Sequence, residues 1–255
     1  MENTCIIGYG VVGQATAKAL GIKKYFDLKE SNITLDEAAK LRFIFIALPT
    51  ELKPDGSYNT SDIEAIIRQL EELGSSALYI IRSTIWPGFA KHLQEELGID
   101  RIISNPEFLN EATAERDAKN PPFVLIGGIV PRYLEEVKGL YEGMVKGAPV
   151  ILTDNITAEL AKLSMNAYFS TKVVFANQVF DIAQSLGANY EKVKEVLERH
   201  PFGPKNHFQI WYKGKRGVNG RCLPKDSKAL AHYSKFPLLS TVMELNEEYI
   251  YQKKS

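Results

Sequence analysis

The feature that most limits what this chain can become lies at its start. Thr4-Cys5-Ile6-Ile7, a short apolar run, passes at once into Gly8-Tyr9-Gly10-Val11-Val12-Gly13, and a helix-compatible stretch follows from Gln14 to Leu20. A strand, a Gly-x-Gly-x-x-Gly turn and a helix together open a βαβ unit, in which glycines permit a tight turn and the close approach of a pyrophosphate. The helix N-terminus adds unpaired N–H groups and a dipole that favours an anion. Asp27 follows Gly8 by 19 residues, near the end of a second strand expected over Ile22 to Leu28. A carboxylate there can accept from both adenosine ribose hydroxyls and would repel a 2′-phosphate, which predicts NAD rather than NADP. A glycine turn beside an ordinary surface aspartate is the plainer alternative.

Beyond this opening the pattern alternates. Arg42 to Leu48 is a near-continuous apolar run, as expected of a strand covered on both faces. Further strands are predicted over Ala77 to Arg82, Arg101 to Ile103, Phe123 to Ile126 and Pro149 to Leu152, with helices over Gly88 to Leu97 and Arg132 to Glu142. Two capping boxes, Thr34 to Glu37 and Ser61 to Glu64, predict further helix starts, the second running to about Leu73. Pro49 to Asn59 reads as a loop. This order implies a Rossmann-like α/β domain with a mainly parallel sheet. After Thr153 the pattern changes to a long helix over Thr157 to Leu186, ended by Gly187, then a helix from Tyr190 to His200. A Pro/Gly/Lys-rich segment from Pro201 to Pro224 precedes a helical end interrupted at Pro237. The expected division is a Rossmann-like domain over 1–153 and an α-helical domain over 154–255.

Composition excludes several classes. Lys+Arg and Asp+Glu stand at 31 each, so there is no net basic field for nucleic acid. No apolar stretch approaches the ~20 residues of a membrane span, and no basic n-region precedes the first strand. Cys5 and Cys222, the two cysteines, lie far apart with no metal spacing. A reducing, cytoplasmic setting without a bound metal follows.

Cys222 lies in Gly217-Val-Asn-Gly-Arg-Cys-Leu-Pro-Lys-Asp226. Pro224 suits the first position of a helix, which places Cys222 just before a helix N-terminus, where Arg221 and Lys225 also favour the thiolate. A small buried hydrophobe fits the same local sequence equally well, and for Cys5, inside an apolar strand, that is the reading. Lys162 and Asn166 share one helix face and could stabilise an oxyanion, although a lone helical lysine is more often solvated. Glu107 and Glu111, and likewise Thr84, follow strand ends, where open α/β sheets place their ligands; surface carboxylates are the alternative for the pair.

Taken in order, these segments resemble the UDP-glucose/GDP-mannose dehydrogenase family. The matching stretches are Gly8 to Gly13, Leu48-Pro-Thr50 with Asp55-Gly56, Ser83-Thr84 with Pro87-Gly88, and Ser104-Asn-Pro-Glu-Phe-Leu109 with Glu111. Ala158-Glu-Leu-Ala-Lys162 with Asn166-Ala167, Gly220-x-Cys-x-Pro-Lys-Asp226 and the helix ending Glu244-Leu-Asn-Glu-Glu248 complete the likeness over nearly the whole chain. The resemblance implies an NAD-dependent double oxidation of a sugar C6 alcohol through a thiohemiacetal and thioester on Cys222. Lys162 and Asn166 would stabilise oxyanions, Asp226 assist proton transfer or orient water, Glu107 act in thioester hydrolysis, and Thr84 lie near the cofactor and reactive water. It further implies cofactor contacts from Gly8, Gly10, Val11, Val12, Gly13, Asp27, Pro49, Thr50, Ser83, Thr84 and Glu111. Substrate contacts would come from Glu107, Phe108, Leu109, Lys162, Asn166 and Gly220.

The same resemblance implies a nucleotide-sugar substrate, a place in polysaccharide biosynthesis and a homodimer, for which Leu238, Leu239, Val242, Leu245 and Ile250 offer apolar residues. Two departures stand out. The family usually continues into a second α/β domain that grips the nucleotide, whereas this sequence ends at Ser255, leaving that grip to a partner or weakening it. The family's usual Gly-Phe-Gly-Gly run reads Gly217-Val-Asn-Gly-Arg221 here. Two rival readings stay open: a single-step hydroxyacid or alcohol dehydrogenase, and a non-catalytic NAD or sugar-nucleotide binding protein.

Overall fold

The computed structural model describes residues 1–145 and 147–252 and divides them into two compact units. Of the described residues, the first takes in those of 1–51 and 58–162 and the second those of 52–57 and 163–252.

The first unit is built on a seven-stranded sheet. In chain order its strands are β1 (Thr4–Ile7), β2 (Lys24–Phe26), β3 (Phe43–Ile46), β4 (Leu78–Ile81), β5 (Ile102–Ser104), β6 (Val124–Gly127) and β7 (Val150–Thr153). Their order across the sheet is β2-β1-β3-β4-β5-β6-β7, and every pair is parallel except β5 with β6. Alternate side chains explain the apolar runs. Ile7, Ile44, Ile46, Tyr79 and Ile81 pack into one core. Ile6, Phe45, Leu78, Ile80 and Ile103 pack into the other. Both faces are covered by helices: α1 (Val11–Leu20), α2 (Leu35–Ala39), α3 (Ser61–Glu72), α4 (Phe89–Leu97), α5 (Ala114–Lys119) and α6 (Pro131–Tyr141). After β1 the chain pairs to one side as β2 and returns on the other as β3, so the Gly8 turn leaves the sheet where strand order reverses, the usual ligand position in such sheets.

Several boundaries differ from expectation. β2 is shorter than Ile22 to Leu28, and Leu28 is exposed. Thr34 does form a capping box with Glu37. Ser61 does not: α3 starts on Thr60, whose hydroxyl bonds Glu64 at 2.7 Å, while the Ser61 hydroxyl donates to Asn59 Oδ1 at 2.8 Å. The Asn59 carboxamide competes for the serine, shifting the cap by one residue. α5 was not foreseen, being short; its Ala114 and Ala118 interlock with Ala15 and Ala19 of α1.

The second unit is helical. α7 (Asn155–Ser185) starts in the first unit and continues into the second, followed by α8 (Tyr190–Arg199), α9 (Cys222–Ser234) and α10 (Pro237–Ile250). Gly187, at φ +64°, follows the end of α7, and the Asn189 side chain caps α8. The Pro/Gly/Lys-rich segment contains an unforeseen hairpin of β8 (Trp211–Tyr212) and β9 (Lys215–Arg216). Val242 is buried with Val174, Val218, Met243 and Tyr249, so this member of the expected apolar surface is covered within its own unit, whereas Leu238 stays exposed. Among the described residues no helix is long and apolar enough to cross a membrane.

Candidate active site

The glycine turn of the first unit is fixed by backbone contacts. Gly8 has φ +91°, and a Cβ there would lie 2.6 Å from the Ala47 carbonyl oxygen; one on Gly13 would lie 2.0 Å from that of Gly8. At Gly10, the residue before α1, a Cβ would meet no protein atom within 4 Å. Two glycines are therefore demanded by the fold, and the third leaves the amide end of α1 open to an anion. Asp27 Oδ2 accepts the Tyr9 N–H at 2.7 Å and Oδ1 accepts the Lys29 N–H at 3.0 Å. These amide bonds, that of Lys29 foremost, hold its carboxyl below the usual range, so it stays anionic beside the turn. A cradle without Cβ atoms, a helix N-terminus and a retained carboxylate fit a dinucleotide. Val11 is half exposed on the first turn of α1.

The ends of β3 and β4 are joined by hydroxyls. Ser83 donates to the Leu48 carbonyl at 2.7 Å, and Thr50 to that of Thr84 at 2.6 Å, with Pro49 exposed between these loops. Ser83 and Thr50 thus shape the loops with their own side chains, a task the sequence does not reveal.

Beyond β5, Lys162 is buried with its Nζ 3.2 Å from Glu107 Oε1 and 5.3 Å from the centre of the Phe108 ring. Glu107 Oε2 accepts the Leu109 N–H at 2.5 Å. Phe108 rests on Phe123, and Leu109 packs with the alanines of α1 and α5. Of the two residues after Glu107, Phe108 therefore faces Lys162, while the Leu109 side chain serves the core. Glu111 is exposed on a short helical turn at Glu111–Thr113. Pairing with Glu107 removes the solvated-lysine alternative for Lys162.

In the second unit Cys222 is exposed, and Cys5 is fully buried with its thiol pushed up to about 12 by burial. Cys222 is itself the first residue of α9 and Pro224 the third, so the cysteine stands two residues further into the helix than the proline suggested. Proline is tolerated anywhere in that turn because its missing N–H has no helical partner there. The thiol consequently lies within the first turn of α9. Six hydrogen bonds hold the segments around it. The Asn166 amide donates to Asp226 Oδ2 at 2.6 Å, and Ser170 and Ser227 share a hydrogen bond of 2.7 Å. Arg216 binds Asn177 Oδ1 at 2.7 Å and Asp181 Oδ1 at 2.5 Å. Asn246 accepts the Val218 N–H at 2.5 Å and donates to its carbonyl at 3.1 Å. Lys225 pairs with Asp226 at 3.0 Å, and Gly220 turns the loop at φ +92°. Ser170, Arg216 and Asn246 escaped sequence reasoning because their partners lie 28 to 57 residues away.

Glu159 was also missed as a site residue, and only its place in the Ala158 to Lys162 stretch pointed to it. It is 2% exposed, accepts from Gly88 N–H, Ala90 N–H and the Ser104 hydroxyl, and burial pushes its carboxyl up to about 7. Among the described residues, no cluster of three or more His, Cys, Asp or Glu is placed to hold a metal.

Residues 22–145 match the NAD binding domain of the UDP-glucose/GDP-mannose dehydrogenase family, and residues 156–248 match its central domain. A GDP-mannose 6-dehydrogenase of Pseudomonas putida is 30% identical over 224 residues, covering 80% of this chain and 50% of that protein. A UDP-glucose 6-dehydrogenase of Streptococcus pneumoniae is 30% identical over 243 residues, covering 89% and 60%. The solved structure of a UDP-glucose dehydrogenase from the hyperthermophilic archaeon Pyrobaculum islandicum superposes with a TM-score of 0.83 at 25% identity, covering 96% of this chain and 68% of that one. The chain spans about half the length of the curated relatives it matches.

Proposed function

The chain belongs to the UDP-glucose/GDP-mannose dehydrogenase family, and from that premise we propose that it oxidises the C6 alcohol of a nucleotide sugar to the carboxylate by covalent catalysis on Cys222. The observation that carries this reading is the position of Cys222, exposed in the first turn of α9, at the end of a loop fixed by buried side chains. A cysteine kept only as a small hydrophobe would be buried, as Cys5 is.

The Gly8–Gly13 turn and Asp27 would hold NAD, which would supply the hydride acceptor for each oxidation. The chain's own groups do the rest. The Cys222 thiolate attacks the aldehyde carbon, forming a C–S bond and an oxyanion that takes up a proton to complete the thiohemiacetal; the tether keeps the aldehyde from escaping between oxidations. Asn166, an amide donor, and Lys162, a cation, stabilise the oxygen charge. After the second oxidation water opens the thioester, breaking the C–S bond and returning the thiolate, with Glu107 accepting the water's proton and Asp226 orienting the reacting groups. Thr84 acts beside the reactive water. Glu111, on its exposed turn, contacts the cofactor, and Gly220 lets the backbone approach the sugar.

The protein is further proposed to form a homodimer in the cytoplasm. Leu238 of α10 and Tyr168, Phe175 and Ile182 of α7, each at least half exposed, support the dimer. A monomer mass by light scattering across a wide concentration range would contradict it. The test of the chemistry is Cys222→Ser: acid formation is expected to vanish while NAD affinity stays within about twofold. A variant that still makes acid at the original rate overturns the covalent reading.

A further inference from the structure

Glu159 is a buried ionisable group to which this mechanism gives no part. Helix α4 begins behind Gly88, which has φ +100° and no side chain to cap the helix. The cap comes from α7 instead: Glu159 Oε2 accepts the Gly88 N–H at 2.6 Å, and Oε1 accepts the Ala90 N–H at 3.2 Å and the Ser104 hydroxyl at 2.7 Å. One carboxylate thus ties together three segments that each carry a proposed catalytic group. Gly88 closes the turn that contains Thr84, Ser104 opens the loop that leads to Glu107, and Lys162 follows Glu159 on α7. Thr84, Ser104, Pro106, Glu159 and Lys162 line one small cleft.

We propose that Glu159 is a positioning residue that sets the Ser83–Gly88 turn and the Ser104–Glu107 loop around Lys162, a proposal that rests on the roles assigned above to Thr84, Glu107 and Lys162. A carboxylate is required by count. Three donors converge on two oxygens, whereas an amide offers one acceptor oxygen and two N–H donors, so at least one donor would face another donor. Where the carboxyl is ionised, its negative charge also complements the N-terminus of α4. At 2% exposure Glu159 is enclosed, which suits a residue that acts through its neighbours.

Glu159→Gln and Glu159→Asp test this in the full chain. In folded Glu159→Gln, amide hydrogen exchange is expected to quicken about tenfold both at Gly88 and Ala90 and along residues 104–109, with β1 and β3 unchanged. Turnover should fall about tenfold or more, while KM for the sugar nucleotide stays within about threefold. Glu159→Asp, which keeps the charge on a shorter arm, should recover part of the turnover. A purely structural residue would lower the melting temperature without changing kcat in the folded fraction. Normal turnover in Glu159→Gln, or exchange that quickens at α4 alone, overturns the proposal. If the unsubstituted chain forms no NADH, the catalytic reading fails separately. Hydrogen exchange then still decides the matter: joint loosening of the two segments supports the positioning role, and unchanged exchange refutes it.

Discussion

The Gly8–Gly13 turn of the first unit and the Gly217–Cys222 loop of the second both lead into a helix N-terminus, and they are held by different means. In the first, the space a glycine Cβ would need is taken by backbone: the Ala47 carbonyl at 2.6 Å for Gly8 and the Gly8 carbonyl at 2.0 Å for Gly13. In the second, a Cβ on Gly217 would meet Asn246 Oδ1 at 2.7 Å and Tyr249 Cβ at 2.9 Å, both on α10. Each stretch also has an open glycine, Gly10 and Gly220, with no atom within 4 Å of such a Cβ. A turn built on backbone is set by its own few residues and the neighbouring strand. A loop built on side chains depends on a helix that folds onto it later in the chain, and should yield more to substitution.

That contrast can be broken most sharply at Gly13. Gly13→Ala is expected to abolish NAD binding measurable by calorimetry, since no side-chain movement relieves a clash with a carbonyl, whereas Gly217→Ala should leave a folded protein with cofactor affinity close to normal. Equal losses in the two variants would erase the distinction.

The pH dependence of stability separates two carboxylates of the first unit. Burial raises the Glu159 carboxyl from 4.5 to about 7. Its neutral form is therefore favoured by folding, and the associated stability, on the order of 3 kcal/mol, is present below pH 4.5 and lost as pH rises through about 7. Asp27, lowered first by its bond from Lys29 N–H, has the opposite sign: its contribution is present above pH 3.8 and is lost as pH falls through its folded pKa. Denaturant titrations of the wild type and Glu159→Gln between pH 5 and 8 should show a falling wild-type stability that is flatter in the variant. Parallel curves would remove Glu159 as the cause.

Smaller effects sharpen the comparison. Asn246→Ala removes both hydrogen bonds to Val218 and leaves buried peptide groups without them, which should cost about 2 kcal/mol in a denaturant midpoint while sparing NAD affinity. An unchanged midpoint would show that the loop does not need this clamp. Asp27→Ala should weaken NAD about tenfold, or ~1.4 kcal/mol, and NADP less, so the preference narrows. An undiminished preference for NAD would sink the ribose assignment.

What was legible in the sequence follows the same division. The strands of the first unit were readable because alternating core faces leave continuous apolar runs, and Thr34 announced its cap because both partners of the box lie three residues apart. Ser61 misled through Asn59, which offered a nearer acceptor. In the second unit Cys222 drew notice from its glycines and proline, but the Arg216, Ser170 and Asn246 anchors did not, since no local rule links residues 28 to 57 apart. Glu159 is an intermediate case: an acid on a buried helix face is visible in sequence, while the three donors it serves are not.

The proposed reaction is a double oxidation on Cys222. The most direct measurement is the number of NADH formed per nucleotide sugar consumed by the full chain, followed by absorbance with UDP-glucose and with GDP-mannose. Two NADH are expected per molecule of the sugar that is accepted. One NADH, the yield of a single-step dehydrogenase, or none, the yield of a binding protein, would contradict it.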